Sequence, residues 1–222
     1  MNQSAWDLFW TSLGPIVHGA IAGTIPLALA SFAIGLTLAL GLALMRLSRR
    51  RWVSSIARVY ISIVRGTPLL VQLFVIFYGL PSLGILIDPW PSAVVAFSLN
   101  VGGYAAAVIR AAILSVPKGQ WEAAYMIGMS HRRALTRIIL PQAARVSVPP
   151  LSNTFISLVK DTSLASLILV TELFREAQQV AAFSQEFMLL YLEAALVYWV
   201  ICLGLSSVQS VLEKRLDRYV AH

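Results

Sequence analysis

Two carboxylates, Asp161 and Glu193, fall inside long apolar stretches of this chain, among a scatter of amides and hydroxyls. Ionisable groups at such positions are costly to insert, so they face a bundle interior, a partner or a water-filled path. Neither belongs to a recognisable reaction centre. His18, His131 and His222 are far apart, and neither Gly-x-Ser-x-Gly nor His-Glu-x-x-His occurs, so hydrolytic and metal chemistry lack their residues. A phosphate-cradling loop needs Gly-x-x-x-x-Gly-Lys-Ser/Thr. None of Lys118, Lys160 or Lys214 follows a glycine, and Gly14 and Gly19, which have the spacing, are followed by Ala20 and Ile21.

What remains is a set of polar groups that repeat on helix faces. Asn100, Tyr104, Ala107 and Ala111 share one helical face by their spacing, as do Asn153, Ser157 and Asp161, and Gln72 follows Arg65 by two turns. Amides and hydroxyls placed so serve either a solute or hydrogen bonds between helices. Asp161-Thr162-Ser163 has the composition of a helix N-cap. A helix broken there would turn unpaired N–H groups toward a cavity, suiting an anionic group, with Asp161 taking a cationic one and Ser163 nearby. The other reading of Asp161 is structural. Its neighbour Lys160 lies about 100° away around a helix, so the two are not a facing pair.

The elements that position these groups follow from composition. Hydrophobic residues fill 58% of the 222 positions, charged residues only 12%, and the mean hydropathy is +0.77. Soluble domains carry about 25% charged residues. The chain is therefore expected to be an all-α integral membrane protein forming a single domain over residues 1–222. Spans are expected at about 14–45, 56–80, 91–116, 142–170 and 187–211, each long enough for a hydrocarbon core of about 30 Å. The fourth is too long and polar for one simple rod, and Thr67-Pro68 and Pro149-Pro150 are expected irregularities. Between the spans lie a basic turn at Arg49–Arg51, a Pro- and Gly-rich turn from Pro81 to Pro91, a polar stretch, and a loop around Glu172–Glu186. Met1–Thr11 has no Lys or Arg, so it lacks a cleaved signal's basic region and is expected to be retained. The single Cys202 can form no intramolecular disulfide.

Thirteen of the 17 basic residues fall on one side of these spans: Arg46, Arg49, Arg50, Arg51 and Arg58, then Lys118, Arg132, Arg133, Arg137 and Arg145, then Lys214, Arg215 and Arg218. The opposite side has only Arg175 in a loop. Basic residues gather on the cytoplasmic side, which puts the N-terminus outside and the C-terminus in the cytoplasm. The same rule accounts for the formal charge of +7 without nucleic acid.

The loop over residues 117–141 is polar yet free of slack-linker composition. Trp121, Ala124, Tyr125 and Gly128 recur at helical spacing, Gly128 permits a sharp turn, and a second short helix fits from Ser130 toward Leu140 before Pro141 opens the fourth span. Glu122-Ala123-Ala124, then Gly128, then Ile138 and Leu140-Pro141, resemble the EAA loop of ABC importer permeases with its spacing unbroken. Arg65-Gly66-Thr67-Pro68-Leu69 with Gln72, Ser98-Leu99-Asn100 with Tyr104, and Ser157 to Leu164 extend the resemblance over most of the chain, toward the histidine/glutamine/arginine/cystine group. Gly119–Ala124 and Pro141–Asn153 look most like the cystine permeases.

That resemblance implies a type I importer permease of a bacterial inner membrane that is no enzyme itself and needs no cofactor of its own. A dimer of ATPase subunits would hold the ATP and Mg, docking on coupling residues Glu122, Ala123, Ala124, Gly128, Ile138, Leu140 and Pro141. An extracytoplasmic solute-binding protein would deliver the amino acid. A second permease copy, identical or a sister chain, would complete the pathway. The substrate residues would come from Gln72, Asn100, Tyr104, Asn153, Ser157, Asp161, Ser163 and Glu193. One departure stands out: Ala107 replaces a Glu common in the group, while Glu193 stands where members carry a small apolar residue. Either a carboxylate has moved between helices within one cavity, or Glu193 pairs with a basic group of another subunit. The rival class is an ion-gradient-driven amino-acid carrier, usually marked by inverted repeats, and none is visible.

Overall fold

A computed structural model describes residues 5–217. The readings above that fall on Met1, Arg218 and His222 lie outside the described residues. Among those described there is helix and turn but no strand. The first helix, α1, runs 42 residues from Ala5 to Arg46, longer at its start than the expected span. After a basic turn come α2 (Arg51–Gly66) and α3 (Leu69–Leu83), which meet at a bend of 106°. Helix α4 (Pro89–Ser115) is the most buried of the three membrane-length helices, α5 (Lys118–Met126) is short, and α6 runs from His131 to Ile168. Helix α7 (Leu173–Ser184) follows at 48° to α6, and α8 (Phe187–Asp217) ends the described chain. Three helices are long and apolar enough to cross a membrane, and five crossings result when each bent pair counts as one.

Prolines shape these helices. A π turn ends two residues before a proline three times: Ala20–Thr24 before Pro26, Val75–Gly79 before Pro81, and Leu135–Ile139 before Pro141. A proline inside a helix lacks its N–H and crowds the carbonyl four residues back, and a widened turn relieves both. Thr67-Pro68 does break its span, with Thr67 and Pro68 extended between α2 and α3. Pro149-Pro150 does not: α-helix continues from Leu140 to Asp161 through both. The N–H groups they lack would have met the carbonyls of Arg145 and Val146, exposed residues whose carbonyls can tilt outward. Nor does Pro141 open a new helix, because the π turn lets α6 pass from the polar segment into the span unbroken.

The core lies where α1 and α4 pack along their length, with Leu27, Leu42, Phe97 and Ile113 buried between them and against α6. Small residues permit the approach: a methyl added to Gly35 of α1 would stand 2.6 Å from Val101 Cβ. A second, smaller cluster joins the start of α1 to α7 and α8 through Ile16, Leu173, Ala177, Ala181 and Leu190. Its middle member corrects the expected loop at 172–186. Leu173, Ala177 and Ala181 recur every four residues and are fully buried, so the segment folds as a helix to cover them.

Candidate functional site

The bend between α2 and α3 opens one wall of a cavity of about 390 Å³. Thr67, Pro68 and Leu69 form that wall, Asn100 and Tyr104 of α4 the second, and Asn153, Ser157 and Asp161 of α6 the third. The two polar faces read from helical spacing thus point at each other. Asp161 is the single carboxylate among the lining residues. At the rim the Arg65 guanidinium lies over the Tyr104 ring, 5.4 Å from its centroid, placing a cation beside the cavity that helical spacing on α2 alone did not assign.

The bend is held by Gln72. Its Nε2 donates to the carbonyl of Val64 at 2.8 Å, and to the carbonyl and hydroxyl of Thr67 at 3.1 and 2.9 Å. The two carbonyls lose their helical partners where α2 stops at Pro68, which brings no N–H, while the Thr67 hydroxyl itself donates to the Ile63 carbonyl at 2.8 Å. Asn100 Nδ2 in turn donates to Gln72 Oε1 at 3.2 Å, tying the bend to α4. Gln72 therefore builds the wall without being among the lining residues.

Asp161 is not an N-cap. It ends the α-helical part of α6, makes no side-chain capping bond, and passes directly into a 3₁₀ segment, Thr162–Ile168. The Thr162 N–H is taken by the Leu158 and Lys160 carbonyls, and Ser163 Oγ donates to the Lys160 carbonyl at 2.8 Å. The expected array of free N–H groups is thus absent, and Ser163 lies outside the cavity lining. A tightening helix consumes donors that a broken one would release.

Glu193 is elsewhere as well. It is 2% exposed on α8, where its Oε2 lies 2.6 Å from Ser12 Oγ of α1, while its Oε1 has no partner. Its surroundings are the second cluster, whereas Ala107 belongs to α4. The shared-cavity reading of positions 107 and 193 is therefore withdrawn, and the partner found is a hydroxyl of the same chain. Sequence spacing places residues on a helix face but not opposite another helix, which packing decides.

The carboxylate that organises this side of the bundle is Glu172, which sequence reading assigned to a loop. It is fully buried and caps α7, accepting from the Phe174 and Arg175 N–H groups at 2.9 and 2.7 Å. It also accepts from the Tyr198 hydroxyl at 2.8 Å and the Thr24 hydroxyl at 3.4 Å, joining α1, α7 and α8. Methyl groups on Gly19 or Gly23 would collide with the backbone at 171–172, so both glycines admit this turn against α1. The available signal was the Gly19/Gly23 spacing followed by Thr24 in an apolar run.

The polar segment before α6 is ordered as a helix and a turn. Glu122 and Ala123 are exposed on α5, Ala124 is buried, and Met126 and Ile127 stand out at 87% and 74% exposure. Gly128 has φ +77°, and the Gly128 and Met129 N–H groups return to the Tyr125 and Ala124 carbonyls at 2.9 and 3.0 Å, closing a Schellman turn. Ser130 then caps α6. Trp121 stacks on His131 with ring centroids 5.1 Å apart, and the Tyr125 hydroxyl lies 2.8 Å from His131 Nδ1, fixing α5 to α6. Ile138 and Leu140 are half-buried and Pro141 is exposed along the π turn. The arrangement offers an apolar knob on a rigid bracket.

Comparison with known proteins gives these features a setting. The chain is 61% identical over 217 residues to the L-cystine transport system permease protein TcyB of Bacillus subtilis (strain 168), covering 97% of this chain and 93% of that one. It is 40% identical over 195 residues to the L-cystine transport system permease protein TcyL of the same organism, covering 85% and 82%. A chain in the crystal structure of an amino acid ABC transporter with histidines superposes with a TM-score of 0.89 at 33% identity, covering 97% of this chain and all of that one. Residues 31–218 match the model of the binding-protein-dependent transport system inner membrane component. The helical architecture is thus that of a type I ABC permease, and the chain belongs to the family of binding-protein-dependent transport system inner membrane components.

Proposed function

We propose that this chain is the permease subunit of an ATP-driven importer of L-cystine, and that the cavity between α2–α3, α4 and α6 is where the amino acid passes. The observation that carries the reading is the cavity itself: a lone carboxylate, Asp161, faces amides, hydroxyls and Tyr104, with Arg65 at the rim. Its volume of about 390 Å³ lies within the roughly 300–1,000 Å³ of small-molecule sites. A zwitterion entering such a space loses hydration at both ends. Asp161 then compensates an ammonium group and Arg65 a carboxylate, while Asn100, Asn153 and Ser157 supply neutral hydrogen bonds. The identity to two cystine permeases supports cystine as the solute.

Two copies, either both of this chain or one with a sister permease, form the pathway, served by two ATPase subunits and an extracytoplasmic binding protein. The N-terminus lies outside and the C-terminus in the cytoplasm. Nucleotide binding closes the ATPases, draws the α5 knobs together and turns the cavity outward, and product release reverses it. Glu122, Ala123, Ala124 and Gly128 shape the docking helix, and Ile138, Leu140 and Pro141 transmit its movement along α6.

The test is uptake by the complete importer in proteoliposomes. Labelled cystine should enter in preference to histidine, arginine and glutamine. Asp161→Asn should lower cystine uptake by about tenfold or more, as expected for losing a charge-assisted hydrogen bond, with nucleotide-driven ATPase closure intact. Unchanged uptake, or a loss matched by lower thermal stability, would assign Asp161 a structural role instead.

A further inference from the structure

We infer that a second cavity, at the foot of α1 and α4, holds the headgroup of an anionic phospholipid and braces the α5 helix. This cavity, of about 770 Å³, is separate from the one around Asp161. Its walls change character along their length. Leu44 of α1 and Leu114 of α4 lie in the last turns of two membrane-crossing helices, and Leu114 is 57% exposed. Beyond them the wall continues with Arg49 of the basic turn and Lys118 at the start of α5. No Asp or Glu lines it. Two cations with no carboxylate beside an apolar floor are complementary to a phosphate that carries acyl chains. A soluble anion would satisfy Arg49 and Lys118 but leave the leucines uncovered, which is why the charge and the apolar wall together select a lipid.

The cavity also reaches the coupling bracket. Trp121 and His131, stacked on one another, complete its wall. The exposed Met126 and Ile127 of the knob are outside it. A lipid seated here would therefore support α5 from the membrane side and leave the protein-docking side open. A headgroup held by both Arg49 and Lys118 would tie the α1 end to α5, so occupancy should raise the fraction of importers in which α5 is held for docking.

The experiment uses the complete importer purified in mild detergent and placed in nanodiscs of phosphatidylcholine, with or without phosphatidylglycerol. Native mass spectrometry reads retained lipid, and a phosphate assay reads substrate-stimulated ATP hydrolysis. Phosphatidylglycerol should be retained in preference to phosphatidylcholine and should raise the stimulated rate. Arg49→Gln with Lys118→Gln should cut phosphatidylglycerol retention by about fivefold for each charge removed and abolish the stimulation. Lys214→Gln with Arg215→Gln, exposed charges at the end of α8, should leave retention unchanged. Equal retention in the first variant, or equal loss in the second, would overturn the site. So would stimulation by soluble glycerol phosphate in phosphatidylcholine alone, which would mark a soluble-anion site. Because lipid retention is read without transport, an error in the proposed solute would leave this outcome unaffected.

Discussion

Substitution at Gly128 separates backbone conformation from bulk in the coupling bracket. Its φ of +77° lies in the left-handed region, yet a Cβ added there meets nothing within 4 Å. Steric exclusion therefore predicts no effect, whereas conformation predicts a cost of about 1–2 kcal/mol for an ordinary L-residue. That cost shifts the balance between the closed and frayed Schellman turn by roughly 5- to 30-fold. The two return hydrogen bonds to Ala124 and Tyr125 would be lost in the frayed form, and with them the register of α5 against His131. Asn tolerates the left-handed region far better than a β-branched residue does. Gly128→Val should therefore raise the ATP hydrolysed per amino acid imported in reconstituted vesicles several-fold, with the protein still inserted and folded, while Gly128→Asn stays close to the parent. If Val and Asn behave alike, or if Val couples normally, the turn conformation is not what α5 needs.

Other consequences follow from the packing on the far side of the bundle. Gly23→Ala should lower the unfolding temperature in detergent, because its methyl is driven into the Thr171–Glu172 backbone and overpacking costs about 1–3 kcal/mol; an unchanged melting curve would mean that α1 and α7 separate freely. Glu193→Leu should leave cystine uptake intact and stability equal or higher, since a buried carboxyl with an unpartnered oxygen gives way to an apolar group. Uptake lost from a folded Glu193→Leu protein would return that residue to the pathway. A reporter fused after His222 should be active in the cytoplasm and one fused before Met1 outside the cell, and a cytoplasmic N-terminus would defeat five crossings.

The membrane class, the helical character and the approximate spans follow from the sequence alone. The reason is that apolar length and the placement of 17 basic residues are properties of the chain before it packs. Helical spacing likewise sets Asn100 beside Tyr104, and Asn153, Ser157 and Asp161 in a row, because the backbone's own period fixes which side chains share a face. Gly128 is legible for the same local reason. What spacing does not contain is which face meets which. Only the tertiary structure turns the α4 and α6 faces toward each other across the Thr67-Pro68 bend, makes Gln72 the clamp of that bend, and sends Glu193 to Ser12 instead of the cavity. Glu172 is the clearest case. Its partners Thr24, Phe174 and Tyr198 come from three helices spread over most of the chain, and its place was fixed when two glycines let α1 close on the start of α7, an event of packing that no local pattern records.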